Sequence, residues 1–277
     1  MNLRLIFKII SFILLNIFLS KSTESNILLD DKISVIIPTY NRATSIIKSI
    51  NSVISQTYYN LEIIVIDDCS TDNTESLVSK LNDTRIKYIK LKENKGASFA
   101  RNIGIKISTG KYITFQDSDD TYHSNKIEKQ YKNLIKKNSD LDFCQVCLHF
   151  NNSFEAIFPR NYQQKNIRRK RILDELCNGN FISTQSIFVK KTIIKDNLFD
   201  TNFPRLQDYD LVLRIIPNCK VSYSKEVLVD LYRNKDSLGN DQTKLNYSFY
   251  LLSLKQYNII CKNGSFLASP LNSRFYD

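Results

Sequence analysis

The sequence predicts an α/β fold, a mostly parallel sheet flanked by helices and followed by a smaller antiparallel part. Three observations carry that reading. Short apolar runs alternate with segments whose apolar residues recur at helical spacing, the pattern of βαβ units with right-handed crossovers. The runs break off into polar clusters, Pro38-Thr39-Tyr40-Asn41, Asp67-Asp68 and Asp117-Ser118-Asp119, and the carboxyl ends of parallel strands are where ligands bind in such sheets. The chain has 277 residues, 42% of them hydrophobic, which suits one large core better than two small ones.

From residue 33 the elements follow in order. Ile33-Ser34-Val35-Ile36-Ile37 reads as a strand stopped by Pro38, Thr44 to Gln56 as a helix, and Leu61 to Ile66 as a second strand ending at Asp67-Asp68. Asp72 to Leu81 reads as helix, Ile86 to Leu91 as the third strand and Gly96 to Ile107 as the third helix. The run Gly110-Lys111-Tyr112-Ile113-Thr114-Phe115-Gln116 then ends in Asp117, Asp119 and Asp120. Lys126 to Lys137 is amphipathic, and Leu141 to Asn151 and Ser153 to Phe158 suit antiparallel strands. Asn161 to Arg171 is polar and basic and reads as a loop; Val221 to Tyr232 suits a strand and Lys244 to Lys262 a terminal helix.

Three carboxylates within four positions repel one another unless a cation or solvent compensates. Oxygen-only donors suit a hard divalent ion, so Asp117 and Asp119 are candidate ligands for Mn²⁺ or Mg²⁺. The competing reading makes them an acidic turn capping a helix that starts near Tyr122.

The 39 Lys and Arg against 28 Asp and Glu give a net charge of +11, which suits nucleotide phosphates, acidic lipid surfaces or nucleic acid. Nucleic-acid binding wants basic residues interleaved with aromatics along a face, and only the short run 165–171 is dense in charge. Residues 1–32 are set apart as a signal peptide or signal-anchor with its linker: Arg4 and Lys8 precede an apolar segment from Ile9 to Leu19 that is short for a bilayer span. Ser20 and Ser22 offer a cleavage point, Lys21 intrudes, and cleavage stays open. The expected location is membrane-associated or secretory, with the side of the membrane open. Six cysteines are scattered, and disulfides are possible in an oxidising lumen. Cys144-Gln145-Val146-Cys147 has zinc-like spacing, but no second pair follows and neither His123 nor His149 has a partner at ligand spacing. A buried strand with cysteine as a small hydrophobe is the expectation.

Taken together, Ser34-Val35-Ile36-Ile37-Pro38-Thr39-Tyr40-Asn41, Ser55-Gln56-Thr57, Glu62 to Asp72, Asn94-Lys95-Gly96, Ala100-Arg101-Asn102-Ile103-Gly104 and Asp117-Ser118-Asp119-Asp120 resemble the family 2 glycosyltransferases of GT-A fold, in the right order over residues 33–120. Gln207-Asp208-Tyr209-Asp210 resembles the family's Glu-Asp motif, with Gln207 where the family usually has Glu and Asp208 at the position of the base. The resemblance implies a Rossmann-like catalytic domain over 33–235, with a nucleotide-binding half at 33–120 and an acceptor half at 121–235, followed by a helical tail at 236–277.

It also implies roles. Pro38, Tyr40, Arg42, Asp68, Lys95, Arg101, Asp117 and Ser118 would bind the donor nucleotide, Tyr40 by stacking and Asp68 by accepting from a pyrimidine imide. Asp119, with Asp117, would hold Mn²⁺ or Mg²⁺ against the diphosphate, and Asp208 would be the catalytic base. The implied reaction is metal-dependent, inverting transfer from a nucleotide-sugar, with a UDP-sugar the expected donor, to a hydroxyl on a glycan, lipid or protein. A nucleotidyltransferase would share the acids but normally shows a Gly-rich loop after the first strand, and Pro38-Thr39-Tyr40-Asn41 has no Gly. A non-catalytic nucleotide-sugar-binding relative would have lost the acids that this chain keeps.

Overall fold

The computed structural model describes residues 30–150, 154–159, 169–177, 179–233 and 241–255. Residues 1–29 of the expected signal segment, most of the basic run 165–171, Cys261 and residues 256–262 of the expected terminal helix lie outside the described residues. Among the described residues nine strands join one sheet: β1 (Ile33–Thr39), β2 (Leu61–Asp67), β3 (Ile86–Lys90), β4 (Tyr112–Phe115), β5 (Thr121–Tyr122), β6 (Leu141–Phe150), β7 (Phe154–Phe158), β8 (Phe188–Lys190) and β9 (Val221–Arg233). Their order is β3-β2-β1-β4-β8-β6-β9-β5, with β7 beside β6. The first four are parallel, as the alternation with helices requires; β8 pairs antiparallel with both β4 and β6.

The helices are α1 (Ile46–Ile54), α2 (Thr74–Val78), α3 (Ala97–Ile107), α4 (Lys126–Lys137), α5 (Arg169–Leu176), α6 (Lys191–Ile194), α7 (Gln207–Ile215) and α8 (Gln242–Lys255). Three sequence expectations are corrected. Pro38 does not stop β1: the strand runs on to Thr39, with Pro38 opposite Ile66 of β2. Ile36 O accepts from Gln116 N (3.0 Å) whereas Thr39 O accepts from Asp68 N (2.8 Å), so Pro38 presents its nitrogen to the β4 side. There β4 has already ended at Phe115, and the missing N–H costs no ladder bond. The helix expected near Tyr122 begins only at Lys126, because Thr121 and Tyr122 pair with Asp230 and Val229 as strand β5. The basic loop likewise gives way to α5 from Arg169.

Helix α3 covers the parallel strands closely. A Cβ on Gly104 would sit 2.5 Å from Ile36 Cγ2 of the fully buried β1. Overpacking of this kind costs about 1–3 kcal/mol, against a helix-propensity gain of about 1 kcal/mol for Gly→Ala. Gly104→Ala is therefore expected to lose roughly 1 kcal/mol in a urea titration despite its better helix former.

Lys126 opens α4 with its ammonium fully buried, donating to Thr114 Oγ1 of β4 and lying 4.0 Å over the Tyr122 ring. Burial lowers its pKa to about 7, with Cys144 and Asp142 offsetting part of the effect. The unfolded chain keeps this proton to about pH 10.4 while the fold releases it above about 7, so the unfolded state binds more protons in between and stability rises with pH there. The penalty is fully present below pH 7. Wild type minus Lys126→Met is expected to gain roughly 1 kcal/mol per pH unit between pH 7 and 8.5, read from melts; parallel curves would mean that Lys126 stays charged.

The C-terminal half of the sheet holds an irregularity. From Cys144 to Val146, β6 advances two residues while its partner β9 advances five, from Ser224 to Val229. The three extra residues (5 minus 2) form a bulge. An odd number reverses which face of β9 meets which face of β6. Asp230 thereby lands beside Cys147, and His123 and His149, which have no partner in sequence, both reach its carboxylate.

Candidate active site

The site forms where β1, β2 and β4 end. Tyr40 follows β1 and stands 45% exposed at this rim. Asn41, in the left-handed region at φ 50°, ties the loop to the next one: its N–H donates to Ser70 Oγ (2.9 Å) and its Oδ1 accepts from Thr71 N (2.8 Å). Asp67 is fully buried and accepts from Ser70 N (2.7 Å) and the Tyr88 hydroxyl, which makes it a brace for the loop. Asp68 accepts from the backbone N–H groups of Lys95 (2.8 Å) and Gly96 (2.7 Å). Gly96 has φ 86°, so a residue free of a Cβ makes the turn into α3. Each Asp68 oxygen keeps a second lone pair for another donor. The Lys95 ammonium pairs with Glu93 at 2.7 Å, so its backbone rather than its charge meets Asp68.

The acids after β4 form a shelf. Asp117 accepts from Arg101 (2.6 Å) through Oδ1 and from Gln185 Nε2 (2.6 Å) through Oδ2. The same Gln185 nitrogen donates to Asp120 Oδ2 at 2.7 Å, and the Tyr232 N–H donates to Asp120 Oδ1 at 2.9 Å. Arg101, on α3, is 5% exposed; among the described residues its buried Nε has no hydrogen-bond partner, and its guanidinium lies 5.4 Å from the Phe199 ring centroid. Asp119 is met by Arg42 at 3.3 Å. Ser118, between the two acids, is buried.

Electrostatics distinguish these groups. Burial, then the neighbouring Asp117 charge, raises the Asp119 pKa, and Arg42 compensates in part. Asp120 is raised well above the ordinary range by burial and by Asp119 and Asp117. A shelf whose anions hold one another up is short of positive charge. Asp119 pairs with Arg42 through Oδ2 and feels the Arg101 charge as well, whereas Asp117 is engaged through both oxygens, so Asp119 is the better candidate to receive a divalent ion.

Asp208 enters from α7. Its Oδ1 accepts from Tyr209 N at 2.8 Å, and burial pushes its carboxyl up to about 6; Arg101 and the Thr184 N–H pull the other way and Asp117 adds to the rise. Sensing Arg101 and Asp117 puts Asp208 in the field of the acid shelf. It is not the helix cap, which is Leu206 at φ 60°. Asp210 is buried and bound by Arg214 (2.9 Å), a structural pair. Gln207, in the position where a glutamate was expected, donates back to Phe203 O and Pro204 O. Gln185 is the residue that sequence reading passed over; it sits in a polar run, Ser183-Thr184-Gln185-Ser186, between apolar residues, and nothing local marks it out.

The family model described as glycosyl transferase family 2 matches residues 34–198, which include the rim, the acid shelf and Gln185. The chain belongs to glycosyl transferase family 2. Among the relatives of this family 2 chain, the UDP-Glc:alpha-D-GlcNAc-diphosphoundecaprenol beta-1,3-glucosyltransferase WfgD of Escherichia coli is 31% identical over 258 residues, covering 85% of this chain and 98% of WfgD. An uncharacterized glycosyltransferase of Rickettsia bellii is 32% identical over 265 residues, 90% of this chain, which spans only 35% of that relative's length. The S. aureus TarS 1–349 structure in complex with UDP-GlcNAc superposes with a TM-score of 0.64 at 20% identity, covering 84% of this chain and 71% of TarS 1–349. The fold is GT-A.

Proposed function

We propose that this chain is a metal-dependent, inverting glycosyltransferase that moves a sugar from a nucleotide-sugar, a UDP-sugar, to an acceptor hydroxyl in building a polysaccharide. The observation that carries the reading is Asp208: an ionisable carboxyl near neutrality, in the field of the Arg101–Asp117 pair and next to the acid shelf. Two similar proteins support the donor, since WfgD is named for UDP-Glc and TarS 1–349 is seen with UDP-GlcNAc. WfgD also supports an acceptor carried on a lipid diphosphate, and the charge of +11 suits an anionic surface.

In this reading Tyr40 stacks on the base and a remaining lone pair of Asp68 accepts from it. Asp117 is held by Arg101 and Gln185 for the ribose, and Asp119 would hold Mn²⁺ or Mg²⁺. Such an ion supplies Lewis-acid stabilisation of the departing diphosphate. The acceptor oxygen attacks the anomeric carbon from the face opposite the leaving group as the bond to the nucleoside diphosphate breaks. Asp208 takes the hydroxyl proton. Arg42 shields Asp119 and meets phosphate as a charge-assisted donor.

Residues 1–22 would bring the domain to a membrane; among the described residues no helix is long and apolar enough to cross one. The deciding experiment offers full-length protein a panel of nucleotide-sugars with Mn²⁺, with and without chelator, and reads nucleoside diphosphate release. UDP release that stops on chelation is the expected result. Pyrophosphate release instead would make the chain a nucleotidyltransferase.

A further inference from the structure

We propose that Cys147, His149 and Asp230 form a second metal site, one for zinc, on the β6–β9 part of the sheet. Cys147 and His149 are two apart on β6 and so share a face. Asp230 stands opposite Cys147 in the ladder because of the bulge described above. Their donor atoms all lie within 4.8 Å of one another.

The surroundings match what metal-bound ligands carry. His149 Nδ1 is 3.1 Å from Glu155 Oε1, on the residue facing it across β7. A carboxylate there holds the proton on Nδ1 and leaves Nε2 to ligate, the usual outer partner of a ligating histidine. His123 Nε2 lies 3.1 Å from Asp230 Oδ2, which leaves Oδ1 for an ion. His149 Nε2 is already 2.9 Å from that Oδ1. Bonds of about 2.0–2.2 Å to a tetrahedral ion put neighbouring donors roughly 3.4 Å apart, so this pair must open by only about 0.5 Å.

The donor set chooses the ion. A thiolate and an imidazole favour zinc over the hard ions that an all-carboxylate shelf takes, so the two sites would select different ions. Three protein donors leave a fourth position for solvent or a substrate group. The His149 ring stacks on Tyr232 (centroids 4.9 Å, interplanar angle 15°), whose N–H holds Asp120, so an ion here would steady that edge of the acid shelf.

Full-length protein is titrated with Co²⁺ in excess Mg²⁺ while thiolate-to-cobalt charge-transfer absorption is followed. The expected result is a band saturating at one Co²⁺ per chain and abolished by stoichiometric Zn²⁺. Cys147→Ser is expected to remove the band. His149→Gln should weaken Zn²⁺ binding at least tenfold, and Asp119→Asn should leave both unchanged; far-UV spectra check that each variant folds. No band in wild type, or an undiminished band in Cys147→Ser, would overturn the site and leave a His–Asp–His hydrogen-bond network. Neither readout depends on sugar transfer, so failure here leaves the glycosyltransferase reading untouched.

Discussion

Asp208→Asn is expected to lower turnover by about 10²–10⁴, the usual worth of a general base, with donor affinity and melting temperature nearly unchanged. The substitution isolates the proton. An asparagine Oδ1 still accepts from the Tyr209 N–H, and the helix keeps its cap because Leu206, not Asp208, occupies that position. The wild-type pH profile supplies an independent reading. With the carboxyl pushed up to about 6, the active ionised form dominates above that pH and is lost below it, so turnover should fall about tenfold per pH unit on the acidic limb. That limb should vanish in the variant. Near-normal turnover in Asp208→Asn would take the base away from this residue, and Asp210 is a poor replacement because it is buried against Arg214.

Asp119→Ala is expected to abolish Mn²⁺-dependent UDP binding, a loss of at least about 100-fold by calorimetry, since even outer partners of metal ligands are worth 10–100-fold. Stability should not suffer. Burial and the Asp117 charge already hold the Asp119 pKa up, so removing this carboxylate relieves repulsion on the shelf at the cost of one part-exposed pair with Arg42. Asp117→Asn makes the contrast: it strips a 2.6 Å ion pair from a guanidinium that is 5% exposed, and its loss should register in the melt as well as in binding. Wild-type affinity in Asp119→Ala would remove that residue from the metal site.

What was legible in the sequence was what local pattern dictates. Strand runs such as Ile33 to Ile37 and the amphipathic Lys126–Lys137 could be read because burial imposes a period on them. The rim acids were legible because carboxylates ending apolar runs violate that period. What escaped depended on partners remote in sequence. Pro38 looks like a terminator until β4 is seen to end before reaching it, and Tyr122 looks like a helix start until β9 arrives beside it. Arg101 sits in a helical pattern that says nothing of Asp117. Asp230 and Cys147 meet only through an odd-numbered bulge, which no one-strand pattern announces. Gln185 acts through two carboxylates more than sixty positions away.

That glutamine sets a condition on how the molecule responds to occupancy. Its one amide nitrogen has two hydrogens, and both are spent, one on Asp117 and one on Asp120. Asp120 is in turn held by the main chain of Tyr232. A ligand that draws Asp117 toward itself leaves the amide with one acceptor in place of two, and the change is felt at the end of β9. By thermodynamic reciprocity, a group at that strand end whose binding the donor alters would alter donor affinity by the same factor. Donor shelf and strand end thus meet in the two hydrogens of one side-chain amide.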